Sequence, residues 1–131
     1  MLGRFDRMVV AAEEIGCKVY ETDTGRFDGL IIGNHIFLRA GMSDRRKVCV
    51  MAEEIAHKLY TVGDISDQSK VENVKQEKFA RKKAFEKLLP INAIYKAFKE
   101  GYVQPWELAD YFNLDEQFIK DALIHYRLLS E

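Results

Sequence analysis

A chain of 131 residues fits one compact domain and can bury a real core without covalent or metal staples. Twenty Lys and Arg against 21 Asp and Glu leave a formal net charge of −1, which excludes a global pull toward nucleic acid or an anionic membrane and sends the search for partners to local patches.

In chain order, Phe5, Met8, Val9, Ala12 and Ile15 share one helical stripe, and Gly16 follows where a C-cap glycine belongs. Residues 17–22 alternate as a short strand does, punctuated by Thr24-Gly25. Residues 30–32 and 35–38 flank Gly33-Asn34, a two-residue connection in which glycine supplies the positive φ of a type II′ turn. A small antiparallel sheet of about three strands is expected from these runs. Ser43 or Asp44 can cap the helix that follows, in which Val48, Ala52, Ile55 and Leu59 recur at three- and four-residue steps and predict one face in the core. Thr61-Val62-Gly63-Asp64 ends it. Ser66 or Asp67 can then cap a long helix over residues 68–89. There Val74, Ala84, Phe85 and Leu88 project onto one face together with Glu77 and Arg81. Its other faces carry Lys70, Lys75, Lys78, Lys82, Lys83 and Lys87 interspersed with Glu72 and Glu86, a solvated surface rather than a phosphate patch.

After Pro90, Ile91, Ile94, Tyr95 and Phe98 mark a short helix ended by Gly101. A helix-turn-helix-like pattern follows: a helix over residues 105–112 opening on Pro105, a turn at Asn113-Leu114, and a second helix capped by Asp115 that carries Phe118, Ile119, Ala122 and Leu123. From residue 104 to 131 there are six acidic residues against two basic ones. Phosphate contacts dominate affinity for DNA, so this unit is expected to pack or dock rather than to bind duplex.

Glu53, Glu54 and His57 stand out on the apolar helix of residues 48–60. Glu53 and His57 are one turn apart on one face, and Glu54 lies about 100° round from Glu53. That is the layout of the HExxH motif with its first histidine replaced by glutamate. In HExxH the first and fifth positions bind zinc, and the glutamate at the second acts as general base. A carboxylate is itself a zinc ligand. The alternative is a plain Glu-Glu-His surface cluster. Glu77 and Arg81 pose the same choice: charges on a buried stripe need partners, so Glu77 is a candidate third ligand with Arg81 beside it, or the two are an ordinary pair four residues apart. His35 and His125 read as structural or surface histidines. Cys17 and Cys49, in apolar settings, read as reduced core thiols rather than a disulfide framework. Residues 1–6 lack a signal-peptide core and no run spans a bilayer, so a soluble cytoplasmic protein is expected.

Three stretches resemble the ImmA/IrrE family of metallopeptidase-like proteins, often carried by phages and integrative elements: the hairpin of residues 30–38, the Ala-Glu-Glu-Ile-Ala-His core ending at His57, and residues 77–90, with an Ala-x-x-x-Ala step and a Leu-Leu-Pro ending. The family usually reads HExxH, and this chain is similar to a phage-type branch that reads EExxH. The resemblance implies an α+β, zincin-like core over residues 1–90, with an N-terminal helix, a small antiparallel sheet, the EExxH helix and a long second helix. A C-terminal helical unit over 91–131 packs on that core. It also implies Zn²⁺ held by Glu53, His57 and Glu77, with Glu54 as catalytic base. In many members the acidic third ligand aligns nearer Phe79. The implied partner is a helix-turn-helix repressor whose repression is relieved, and the implied setting is a phage or mobile element. The alternative from another class is a degenerate member that binds a repressor or other protein without cleaving it.

Overall fold

The computed structural model describes residues 2–131. Helix α1 (Arg4–Glu14) buries Met8 and Ala12 and stops as its pattern predicts. Gly16 takes φ +88°, and the amides of Gly16 and Cys17 return to the carbonyls of Glu13 and Ala12. Strands β1 (Lys18–Thr22), β2 (Gly29–Ile32) and β3 (His35–Arg39) form one sheet in the order β1-β3-β2. β2 and β3 are the expected hairpin, with Gly33 at φ +58° between the paired residues Ile32 and His35.

The sheet is mixed rather than antiparallel throughout. β1 runs parallel to β3, from Lys18 beside His35 to Thr22 beside Arg39. The cause is the connection of residues 23–28, which is no tight turn. Asp23 accepts the Gly25 amide, and the Thr24 hydroxyl donates to the Phe27 carbonyl. The chain thereby passes the end of β3 and enters β2 on its far side.

Helix α2 (Asp44–Tyr60) starts at Ser43, whose hydroxyl accepts the Arg46 amide. It is the central helix. Val48, Cys49, Val50, Met51, Ala52, Glu54, Ile55 and Ala56 are all buried, because the sheet, α1 and α3 (Val71–Leu88) surround it. Leu59, expected in the core, is 52% exposed in the helix's last turn. α3 begins later than predicted, with Lys70 at its N-cap. The residues expected to cap it are spent on turns, where Asp64 and Asp67 accept the amides of Ser66 and Ser69. Its buried face also lies one residue round: Asn73, Ala80, Ala84 and Phe85 are buried, while Val74 is half-buried. Asn73 tolerates burial because its amide donates to the Asp67 carbonyl at 2.9 Å.

Helices α4 (Ile91–Lys99), α5 (Pro105–Phe112) and α6 (Glu116–His125) complete an α+β domain. Asn113 makes the α5–α6 turn at φ +54°, and Asp115 accepts the amides of Gln117 and Phe118. Ile94, Leu108, Leu114, Phe118 and Ile119 share one apolar cluster with Ile36, Leu38, Met51 and Leu89. Cys17 and Cys49 are free and buried in it. No helix among the described residues is long and apolar enough to cross a membrane.

Candidate metal centre

The site lies where α2 and α3 meet. The Val62 amide donates to Gln76 Oε1 at 2.6 Å and His57 meets Glu77, so the two helices run in opposite directions past one another. One turn further in, Glu53 of α2 comes opposite Arg81 of α3.

His57 is the hub. Its Nε2 stands 2.6 Å from Glu77 Oε2 and its Nδ1 3.4 Å from Glu54 Oε2. Burial alone would depress the imidazolium, but hydrogen bonds and charge from Glu54 and Glu77 outweigh it and push the His57 pKa up to about 10. The hydrogen bond from His57 in turn holds the Glu77 carboxyl below its usual range, against partial burial. The third ligand suggested by spacing alone is therefore in direct contact with the motif histidine. Phe79, the other candidate position, is exposed and packs edge-on against Tyr60 at 5.7 Å.

Glu54 is only 7% exposed. It fits beneath the start of β2 because Gly29 has no side chain: a Cβ there would lie 3.2 Å from Glu54 Oε1 and 2.5 Å from Val50 Cγ1. The sheet edge thus presses the second-position glutamate toward His57.

Glu53 stands apart. Burial raises its pKa while the charges of Arg81 and Arg46 pull it down, yet it joins no ion pair among the described residues. No group of three or more His, Cys, Asp or Glu side chains among the described residues is drawn close enough to hold an ion. An imidazole and two carboxylates suit zinc in kind. Two of the three expected donors touch. The third remains a half-buried carboxylate on the same helix face.

Arg81 does not pair with Glu77. Its Nη2 binds Asp121 Oδ2 of α6 at 3.1 Å. Arg46 chelates Asp28 Oδ2 with Nε and Nη2, at 3.0 and 2.7 Å, and reaches Asp115 Oδ2 at 3.4 Å. Asp28, Gly29, Arg46, Asp115 and Asp121 were not anticipated as neighbours of the site. Arg46 was within reach, since seven residues before Glu53 is two turns along one face; the aspartates come from elsewhere in the chain. The remaining candidates lie outside. His35 is exposed, with Nδ1 3.2 Å from the Tyr20 hydroxyl, and His125 packs against Phe85. Burial pushes the Cys49 thiol up to about 12, which makes it core and no nucleophile.

A family model, Peptidase_M78, the IrrE N-terminal-like domain, matches residues 12–123. The chain belongs to this family. The match runs from α1 into α6. A metallopeptidase-like fold is what the family brings to the α2–α3 site. No curated protein matches the chain.

Proposed function

We propose that this M78-family chain is a zinc-dependent metallopeptidase-like protein of a phage or mobile element that acts on a helix-turn-helix repressor. The observation that carries the reading is the contact of His57 with Glu77 beside the buried Glu54, on the two helices that supply the motif residues. Glu53, His57 and Glu77 would hold the ion, and zinc, when bound, supplies a Lewis acid that activates water and polarises a peptide carbonyl. Glu54 would take the proton of the attacking water and hand it to the leaving amine. Burial under Gly29 holds that carboxylate in one place, which is what a base must have. A donor set with two carboxylates is more anionic than one with two histidines and activates water less. Weak or substrate-triggered activity follows.

A second reading has its own support. The closed His57–Glu77 pair and the glutamate in place of the first histidine also suit a family member that binds a repressor without cleaving it.

Zinc titration and elemental analysis should give about one ion per chain for the wild type and none for His57→Ala. Glu54→Gln keeps shape and removes the base, so it should retain zinc while cleavage of a cognate repressor falls on the order of a hundredfold or more. A wild type without zinc affinity leaves only the binding reading. So does a Glu54→Gln variant that relieves repression in cells as fully as the wild type.

A further inference from the structure

Large apolar side chains stand uncovered where the last turn of α2 passes α3. Tyr60 is 42% exposed, Val62 83% and Phe79 44%, and Leu59, which its spacing assigned to the core, is half-exposed in the same turn. Tyr60 meets Phe79 edge-on at 5.7 Å, and the Val62 amide is tied to Gln76, one turn before Phe79. Exposed apolar residues scattered singly need no explanation, but a cluster of them marks an interaction surface. The charges around this one share a sign. Lys75 and Lys82 lie four residues before and three after Phe79 on the same side of α3, and Lys83 holds its ammonium 5.2 Å from the Phe79 ring centroid and 5.5 Å from that of Tyr60. Once Arg81 is given to Asp121 and Glu77 to His57, residues 70–87 retain six lysines against Glu72 and Glu86. Glu86 answers Lys82 and Lys83 only at 3.8 and 3.7 Å, and Lys75 joins no ion pair among the described residues.

We propose that this patch docks an acidic, amphipathic segment of a partner protein, its apolar side chains on Tyr60, Val62 and Phe79 and its carboxylates on Lys75, Lys82 and Lys83. Charge of this sign also draws nucleic acid, but a base needs an open ring face on which to stack. Here one ring meets the other edge-on and the Lys83 ammonium lies over both, so the rings offer apolar edges to side chains rather than platforms to bases. The patch is separate from the candidate metal centre. Glu77 lies about 200° round α3 from Phe79, so a segment docked here leaves the His57–Glu77 side free. Docking needs neither zinc nor Glu54, and it rests on the proposed function only for the partner being a protein.

Fluorescence anisotropy with the full chain and chelator present tests this. The probe is a labelled peptide of about 20 residues, long enough to fold as a helix on binding, with glutamate on one face and leucine and phenylalanine on the other. It should bind, and its affinity should weaken as salt rises. Phe79→Ala and, separately, Lys75→Glu/Lys82→Glu should each weaken it on the order of tenfold, while Lys99→Glu on α4 should change it less than about twofold. All these positions are exposed, so the variants should keep the wild-type urea midpoint.

A wild type that does not bind the probe overturns the proposal, and so does binding that Phe79→Ala leaves unchanged. Equal affinity for a peptide with lysine in place of glutamate rejects the acidic partner. Displacement of the probe by an equal concentration of oligothymidine makes the occupant a nucleic acid instead. A dimer in sedimentation velocity that Phe79→Ala returns to monomer makes it a second copy of this chain, and also rejects the proposal. Zinc titration reports independently: a chain that binds the acidic peptide but no zinc keeps this surface and loses the metallopeptidase reading, and one that binds zinc but not the peptide does the reverse.

Discussion

Gly29 shows how one hydrogen atom fixes the position of a charged group. Its φ is unremarkable, so nothing about backbone freedom demands glycine; the demand is space, with Val50 Cγ1 at 2.5 Å and Glu54 Oε1 at 3.2 Å from any Cβ. Gly29→Ala should destabilise the protein by about 1–3 kcal/mol through overpacking, read by urea unfolding. Val50→Ala in the same chain should recover part of that loss, because it removes the nearest atom. A double variant that costs the sum of the singles would place the strain elsewhere. A glycine at the head of a strand signals close approach of another group, so the signal was present in the sequence, but not the identity of what approaches. Cys49 is the reverse case, since its valine neighbours announced a core thiol. Its thiolate forms only near pH 12, so at pH 8 both native cysteines, each buried, should react with a thiol reagent far more slowly than after unfolding in urea. Rapid modification of one thiol in the native state would contradict the burial of Cys17 or Cys49.

Helices were legible in proportion to how local their signals are. α5 and α6 came out as read because Pro105, Asn113 and Asp115 each act on the backbone within a few residues. α3 did not: Asn73 and Val74 are adjacent, and hydrophobicity alone favours the wrong one. The choice was made by the Asp67 carbonyl, which satisfies Asn73, and by Ala80 and Ala84, whose size lets α3 approach α2. The parallel pairing of β1 with β3 has a related cause, since no residue within β1 states which side of β3 the later β2 will take. Asp115 is both a cap and an ion-pair partner, and two substitutions separate the roles. Asp115→Ala should cost about 1–2 kcal/mol of stability through the lost cap. Asp115→Ser keeps an oxygen for the Gln117 and Phe118 amides and loses only the Arg46 contact, so it should cost clearly less. Equal costs would transfer the stabilising role from the cap to the Arg46 pair.

At the scale of the whole molecule, a net charge of −1 conceals a division. Residues 70–87 are basic and the C-terminal helices acidic, and three of those acids turn back onto arginines of α2 and α3, Asp110 to Arg45, Asp115 to Arg46 and Asp121 to Arg81. The charge count alone argued against duplex DNA, and the full chain should show no sequence-specific duplex binding at moderate salt in a mobility-shift assay. The pairing itself was invisible in the sequence, because the partners lie 65, 69 and 40 positions apart. The same pairings bear on the boundary drawn at residue 90. Leu89, Ile94, Leu108, Leu114, Phe118 and Ile119 are fully buried in the cluster that also holds Ile36 and Met51, and the Tyr126 hydroxyl donates to the Leu89 carbonyl. Exposing a buried Leu, Ile or Phe costs roughly 1.5–3 kcal/mol each, while a domain's whole stability is about 5–15 kcal/mol. Removing residues 91–131 would strip the cover from Phe85, which meets Phe118 at 5.2 Å, and from Leu89 as well, and would leave Arg81 without its aspartate and Arg46 with Asp28 alone. A chain ending at residue 90 should therefore lack a cooperative urea transition, and the full chain should unfold in one step by both far-UV circular dichroism and Trp106 fluorescence. Trp106 reports from α5 while most of the helical signal comes from α1, α2 and α3, so two separated transitions would show that the C-terminal helices fold apart from the site.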